Sequence, residues 1–128
     1  MKRKLIYICS PFRAHETDAA KAELEMKKNL NVARQACGIV MNQGNLPIAP
    51  HLYFPQFLDD GNEKTRNYGI NAGLELLENC DELWVIGERI TEGMAREIGK
   101  AGRLGLPIRH VSSPDQMDNV LLSIIMRG

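Results

Sequence analysis

The sequence predicts a three-layer α/β domain built on a parallel sheet. Three observations carry this. Short apolar runs alternate along the chain with amphipathic segments of helical period. Those runs are apolar throughout, as strands covered on both faces are. The 128 residues leave room for one compact core. Strands and helices in strict alternation imply a parallel sheet joined by right-handed crossovers. With no internal repeat, low-complexity tract or linker, residues 1–128 are expected to form a single domain.

Leu5 to Cys9 is an apolar, partly β-branched run ended by Ser10 and Pro11, which suits a buried first strand. From Asp18 to about Gln43, Ala22, Met26, Leu30, Ala33, Cys37 and Val40 recur every three or four positions. This predicts the longest helix, with Thr17 or Asp18 as N-cap and Gly44 as stop. Leu46 to Pro50 is a short extended segment whose prolines exclude a helix and favour a place towards the sheet edge. His51 to Gly61 reads as an irregular connection carrying Tyr53, Phe54 and Phe57. Asn62 to Asn79 has helical spacing, with Gly69 and Gly73 weakening it or permitting close backbone approach. Asp81 to Gly87 reads as the third strand, Thr91 to Gly105 as a helix with Met94, Ile98 and Ala101 on one stripe, and Pro107 to Val111 as the fourth strand. A last amphipathic helix is expected over Pro114 to Met126.

Composition narrows the function. Sixteen basic and sixteen acidic side chains cancel, so there is no global field to gather a nucleic-acid polymer. No apolar run approaches the roughly 20 residues that span a bilayer, so no membrane partner is expected. Met1 to Lys4 leads straight into a strand, which points to a cytoplasmic protein. Cys9, Cys37 and Cys80 are odd in number and form no C-x-x-C pair, consistent with reduced, buried thiols. Neither a Walker loop nor a Rossmann glycine fingerprint occurs, and three scattered histidines offer no metal-ligand spacing. No cofactor and no bound metal are expected.

Ligands of open parallel sheets bind beyond the strands' carboxyl ends. That rule selects three loops: Ser10 to Thr17, Pro50 to Gly61, and Gly87 to Gly93. They carry Arg13, His15, His51, the aromatic cluster, Glu88, Arg89, Thr91 and Glu92, so a nucleotide-like ligand would find rings, cations and a helix start. Thr91 is a competent N-cap, and Gly93 lets an oxyanion approach the first-turn N–H groups. Glu97 lies one turn further, placed so that its carboxylate could attack an anomeric carbon. A plainer reading also fits: Glu92 with Arg96 and Glu97 with Lys100 have the spacing of ion pairs on a solvated helix. Tyr7 is similarly open between a core residue and a site residue, and Arg13 and Arg66 between phosphate holders and surface arginines.

Several motifs resemble a known family. They are Tyr7 to Pro11; Leu46 to His51 with Phe54 to Asp60; Cys80 to Ile90; and Gly93-Met94 with Glu97. The family is a group of small bacterial and phage proteins classed as a domain of unknown function and similar to the nucleoside 2-deoxyribosyltransferase superfamily. The closer likeness runs as far as Ile108; the wider one is confined to the first strand and the [S/T]-x-G-x-x-x-E segment. The resemblance implies a flavodoxin-like fold with four or five parallel strands, and a homodimer or higher homo-oligomer. It also implies a glutamate nucleophile at Glu97, an orienting tyrosine at Tyr7, and a phosphate seat at Thr91 and Gly93.

The chain departs from the transferases at two places. Where they carry one aspartate it offers Gly73 or Asn71, and where they carry another it has Thr91. Base protonation is left to Glu88, Glu92 or His51. The threonine hydroxyl is nearer the superfamily's nucleotide hydrolases, which favours a phosphorylated substrate. The expected activity is cleavage or transfer at the N-glycosidic bond of a deoxynucleoside or its monophosphate. Glu97 and Tyr7 would be catalytic; Ser10, Pro11, Phe12, Arg13, His51, Tyr53, Phe54, Glu88, Thr91, Gly93 and Met94 would bind the small-molecule substrate. The alternatives are a non-catalytic nucleotide-binding sensor and an interaction scaffold.

Overall fold

A computed structural model describes residues 2–59 and 61–112. The expected C-terminal helix lies outside these residues. Four strands, β1 (Leu5–Cys9), β2 (Leu46–Ile48), β3 (Glu82–Ile86) and β4 (Ile108–Val111), form a wholly parallel sheet in the order β2-β1-β3-β4. Three helices connect them: α1 (Ala19–Asn42), α2 (Glu63–Leu77) and α3 (Glu92–Leu104). This is the flavodoxin-like arrangement.

The local chemistry explains the boundaries. Asp18 caps α1 by accepting from the Lys21 N–H at 3.0 Å, Asn62 caps α2 by accepting from the Lys64 and Thr65 N–H groups, and Thr91 caps α3. α1 stops before Gly44 and α3 before Gly105, both at positive φ, where a side chain would be strained. Pro47 is tolerated because β2 is an edge strand paired with β1 alone. β2 is shorter than expected, because Pro50 opens a 3₁₀ turn (Pro50–Leu52) and a second follows at Phe54–Gln56. The connection read as irregular is therefore partly ordered.

Alternation along β1 sorts the core into two faces. Ile6 and Ile8 meet Ala36, Ile39 and Val40 of α1, together with Trp84 and Ile86 of β3. Tyr7 and Cys9 face the other way, among Leu77 of α2, Leu83 and Val85 of β3, and Met94 and Ala101 of α3. Each of the large apolar side chains so covered contributes about 1.5–3 kcal/mol relative to exposure. The path turns back between β1 and β3, so their carboxyl ends open a crevice at the point where strand order reverses. α3 begins at that crevice. Among the described residues, no helix is long and apolar enough to cross a membrane.

Candidate active site

At this crevice lies a cavity of roughly 250 Å³. That is near the lower end of the roughly 300–1,000 Å³ common for small-molecule sites, a scale for one compact ligand. One wall is largely apolar, from Phe12, Pro50, Phe54, Pro55, Leu58 and Ile70. Tyr7, Thr91, Gly93 and Glu97 also line the cavity, as do Arg13, Arg66 and Arg96.

Glu97 is only 7% exposed although it is a carboxylate on a helix. The reason is its stripe: Met94, Glu97 and Ala101 are the buried residues of α3, at helical spacing. Its expected pair with Lys100 does not form, since Lys100 Nζ binds Glu78 instead. Glu92 does pair with Arg96, at 2.9 Å. Beneath Glu97, the Tyr7 hydroxyl donates to its carboxylate, and the Cys9 thiol donates to Oε1 at 3.6 Å. Burial pushes the Glu97 carboxyl up to about 7, with the Tyr7 and Cys9 hydrogen bonds pulling back only partly. At neutral pH it is therefore poised between acid and anion.

Tyr7 reaches Glu97 across a bare stretch of α2. A Cβ on Gly73 would lie 2.9 Å from the Tyr7 hydroxyl oxygen, so the glycine gives the ring its berth. Gly73→Ala is expected to lose about 1–3 kcal/mol of stability through overpacking, more than the helix-propensity gain of roughly 0.8–1 kcal/mol. Gly38→Ala is the matched control, because nothing lies within 4 Å of its Cβ site. Urea unfolding should show the control stabilised and Gly73→Ala destabilised; equal shifts in both would contradict this account.

His51 stacks on Phe12 with ring centroids 5.3 Å apart and donates to the Ser10 carbonyl. Burial lowers its pKa to about 4, so the imidazole is neutral at physiological pH. The Thr91 hydroxyl accepts from the Met94 N–H at 3.2 Å, leaving its own hydrogen for a ligand. Behind the cavity, Glu25 of α1 accepts from the His15 and Glu16 N–H groups, pairs with the His15 imidazole and lies 3.9 Å from Arg89. Arg89 also donates to the Arg13 carbonyl. These bonds tie the loop after β1 to the loop after β3, fixing both rims.

Of the residues named from sequence, Tyr7, Phe12, Arg13, His51, Phe54, Thr91, Gly93 and Glu97 line this cavity. Five others do not. Met94 belongs to the core, at 1% exposure, and Glu88 is exposed outside the lining. Tyr53 is 62% exposed and packs against Phe54 and Phe57, because successive residues of the 3₁₀ turns point in different directions. Pro11 also lies off the lining. Ser10 is buried beneath the floor, its hydroxyl without a hydrogen-bond partner among the described residues. Arg66, left open between phosphate holder and surface arginine, is on the lining, and Cys9, Asp59, Arg96 and the α2 residues Gly69 and Ile70 come into or beneath the site without having been selected for it. For Cys9 the available signal was its i,i+2 relation to Tyr7, which puts both on one strand face. Among the described residues no group of three His, Cys, Asp or Glu side chains is placed to hold a metal ion.

A wholly parallel sheet in this strand order, flanked by helices, is an α/β protein of the flavodoxin-like deoxyribosyltransferase fold. It is similar to a solved 2-deoxyribosyltransferase from the psychrotolerant bacterium Bacillus psychrosaccharolyticus, with a TM-score of 0.61 and 21% identity over 83% of this chain and 70% of that one. The chain belongs to the family Domain of unknown function (DUF7768), whose model matches residues 4–111. No curated protein matches the sequence.

Proposed function

We propose that the protein cleaves or transfers at the N-glycosidic bond of a deoxynucleoside or its 5′-monophosphate, with Glu97 as nucleophile. One observation carries the reading: a carboxylate buried in the core stripe of α3 that nonetheless lines the cavity and accepts from Tyr7. A Glu97 oxygen attacks the anomeric carbon; the N-glycosidic bond breaks, and its electron pair leaves with the base, which takes up a proton. Water or the nitrogen of a second base then attacks the same carbon and releases the carboxylate. The base would lie against Phe12 and Phe54, with the stacked His51 behind them. The similarity in fold to a 2-deoxyribosyltransferase supports a nucleoside as ligand.

The proton for the leaving base is not His51's to give, since the imidazole is neutral, and Glu88 is off the lining. Among the described residues, Glu92, paired with Arg96, and Asp59, accepting from the Gly61 N–H, are the carboxyl groups besides Glu97 on the lining. This thin supply of acid is what favours a second reading, a nucleotide sensor that binds without turnover. Incubation with a panel of deoxynucleosides and their monophosphates, read as free base released, separates the two. Release by the wild type supports an enzyme; tight binding with no base released supports the sensor.

Three arginines and the α3 N-terminus favour the monophosphate. Arg66→Ala is expected to raise KM for a deoxynucleoside monophosphate by about tenfold or more, the loss of one charged hydrogen bond of about 1.5–3 kcal/mol. KM for the unphosphorylated nucleoside should stay nearly constant. Equal changes for both substrates would remove Arg66 from phosphate recognition.

A further inference from the structure

We infer that Cys9 is a positioning residue for Glu97, its thiol holding the carboxylate from beneath together with the Tyr7 hydroxyl. The inference rests on the reading of Glu97 as nucleophile given above. Cys9 is fully buried, with Sγ 3.6 Å from Glu97 Oε1 and 3.8 Å from the Met94 carbonyl oxygen. Both acceptors belong to α3, so the single S–H is shared between the helix backbone and the side chain that backbone carries. Tyr7 and Cys9 stand two residues apart on β1, a central strand paired on both sides. Two donors on one rigid face thus meet one carboxylate, which fixes its rotamer more tightly than either donor alone.

The chemistry of the thiol fits this task. Burial, and then the neighbouring Glu97 charge, raise its pKa far above the ordinary thiol range, so it stays protonated and serves as a donor. Several other charged or titratable groups share the cavity with Glu97. Arg66 comes from α2, Glu92 and Arg96 from α3 itself, and Arg13, His51 and Asp59 from the loops. The hydrogen bonds that pull the Glu97 carboxyl down come from Tyr7 and Cys9.

The test is a ¹³C NMR titration of the glutamate carboxyls in the full chain, with the Glu97 signal assigned by Glu97→Gln. Cys9→Ala removes a hydrogen bond to the charged form and should raise the Glu97 midpoint by about half to one pH unit. Cys80→Ala is the control. Its thiol sits on the same side of the sheet but donates to the Leu76 carbonyl at 3.4 Å, and its loss should leave the midpoint in place. A folded Cys9→Ala protein with an unchanged midpoint would overturn the assignment. In the unsubstituted protein, one S–H stretching band should shift with pH at the Glu97 midpoint. If Cys9→Ala does not fold, that band decides, and three S–H bands indifferent to Glu97 ionisation also overturn it. Free-base release over the same pH range should lose activity on its acid limb at the NMR midpoint, and that limb should move with Cys9→Ala. A shifted titration in a protein that releases no base would sink the enzymatic reading while leaving the Cys9 contact standing.

Discussion

Glu97→Gln is expected to lower free-base release by about a thousandfold or more while leaving the cavity shape intact. Glutamine keeps the volume and the carbonyl oxygen that accepts from Tyr7 and Cys9, so substrate affinity should change little. What it lacks is an anion able to form a bond to the anomeric carbon. The effect should therefore fall on kcat, with KM nearly constant. Loss of binding in place of turnover would mean that Glu97 recognises the ligand and does not react with it.

The same substitution carries a second large effect, of opposite sign, on stability. An unfolded chain releases the Glu97 proton near the ordinary glutamate value of about 4.3. The folded protein, in which burial disfavours the anion, holds it until about 7. Between these values the native state binds more protons than the unfolded one, so this group makes stability fall as pH rises. The cost is complete above the folded value and is on the order of 3 kcal/mol. Glu97→Gln has no proton to lose. Thermal unfolding should show the two proteins close together at pH 4, the variant increasingly more stable up to about pH 7, and a constant gap above that. A gap that does not change with pH would mean that Glu97 binds its proton equally well folded and unfolded, and the poised state described above would not exist. A group that weakens the native state yet sits at the switch point of the sheet is what a stability–activity trade-off looks like.

Much of this was legible in the chain. Apolar runs gave the strands their positions, Thr91 and Gly105 marked helix ends at the residues where the structure has them, and of the two N-cap candidates for α1, Thr17 and Asp18, the structure uses Asp18. The loops at the carboxyl ends of β1, β2 and β3 were found from the general polarity of such sheets, which is why Phe12, His51 and Thr91 could be named before their contacts were known. Less visible was how Glu97 differs from an ordinary surface glutamate. Local spacing offered Lys100 as a partner, but the packing of α3 against β1 turns Glu97 inward and leaves Lys100 to Glu78 of the connection after α2. The apolar neighbours one turn before and one turn after it, Met94 and Ala101, held that information. Contributions from α2 were harder still. The approach of Gly73 to the Tyr7 hydroxyl and the placing of Arg66 depend on how one helix crosses a strand distant in sequence, which periodicity along either segment does not encode. Tyr53 shows the converse, an aromatic in a promising loop whose 3₁₀ geometry directs it to solvent.

The central claim is a covalent bond between Glu97 and a sugar, and trapping that bond tests it most directly. A deoxynucleoside monophosphate analogue with fluorine at the 2′ carbon slows the second step, because fluorine destabilises the positive charge that develops at the neighbouring anomeric carbon. Mixed with the wild-type protein and quenched in acid, it should release one equivalent of base. The protein mass should rise by that of the fluorinated sugar phosphate, on a peptide containing Glu97. Base released with no adduct, or an adduct on another residue, would contradict the account.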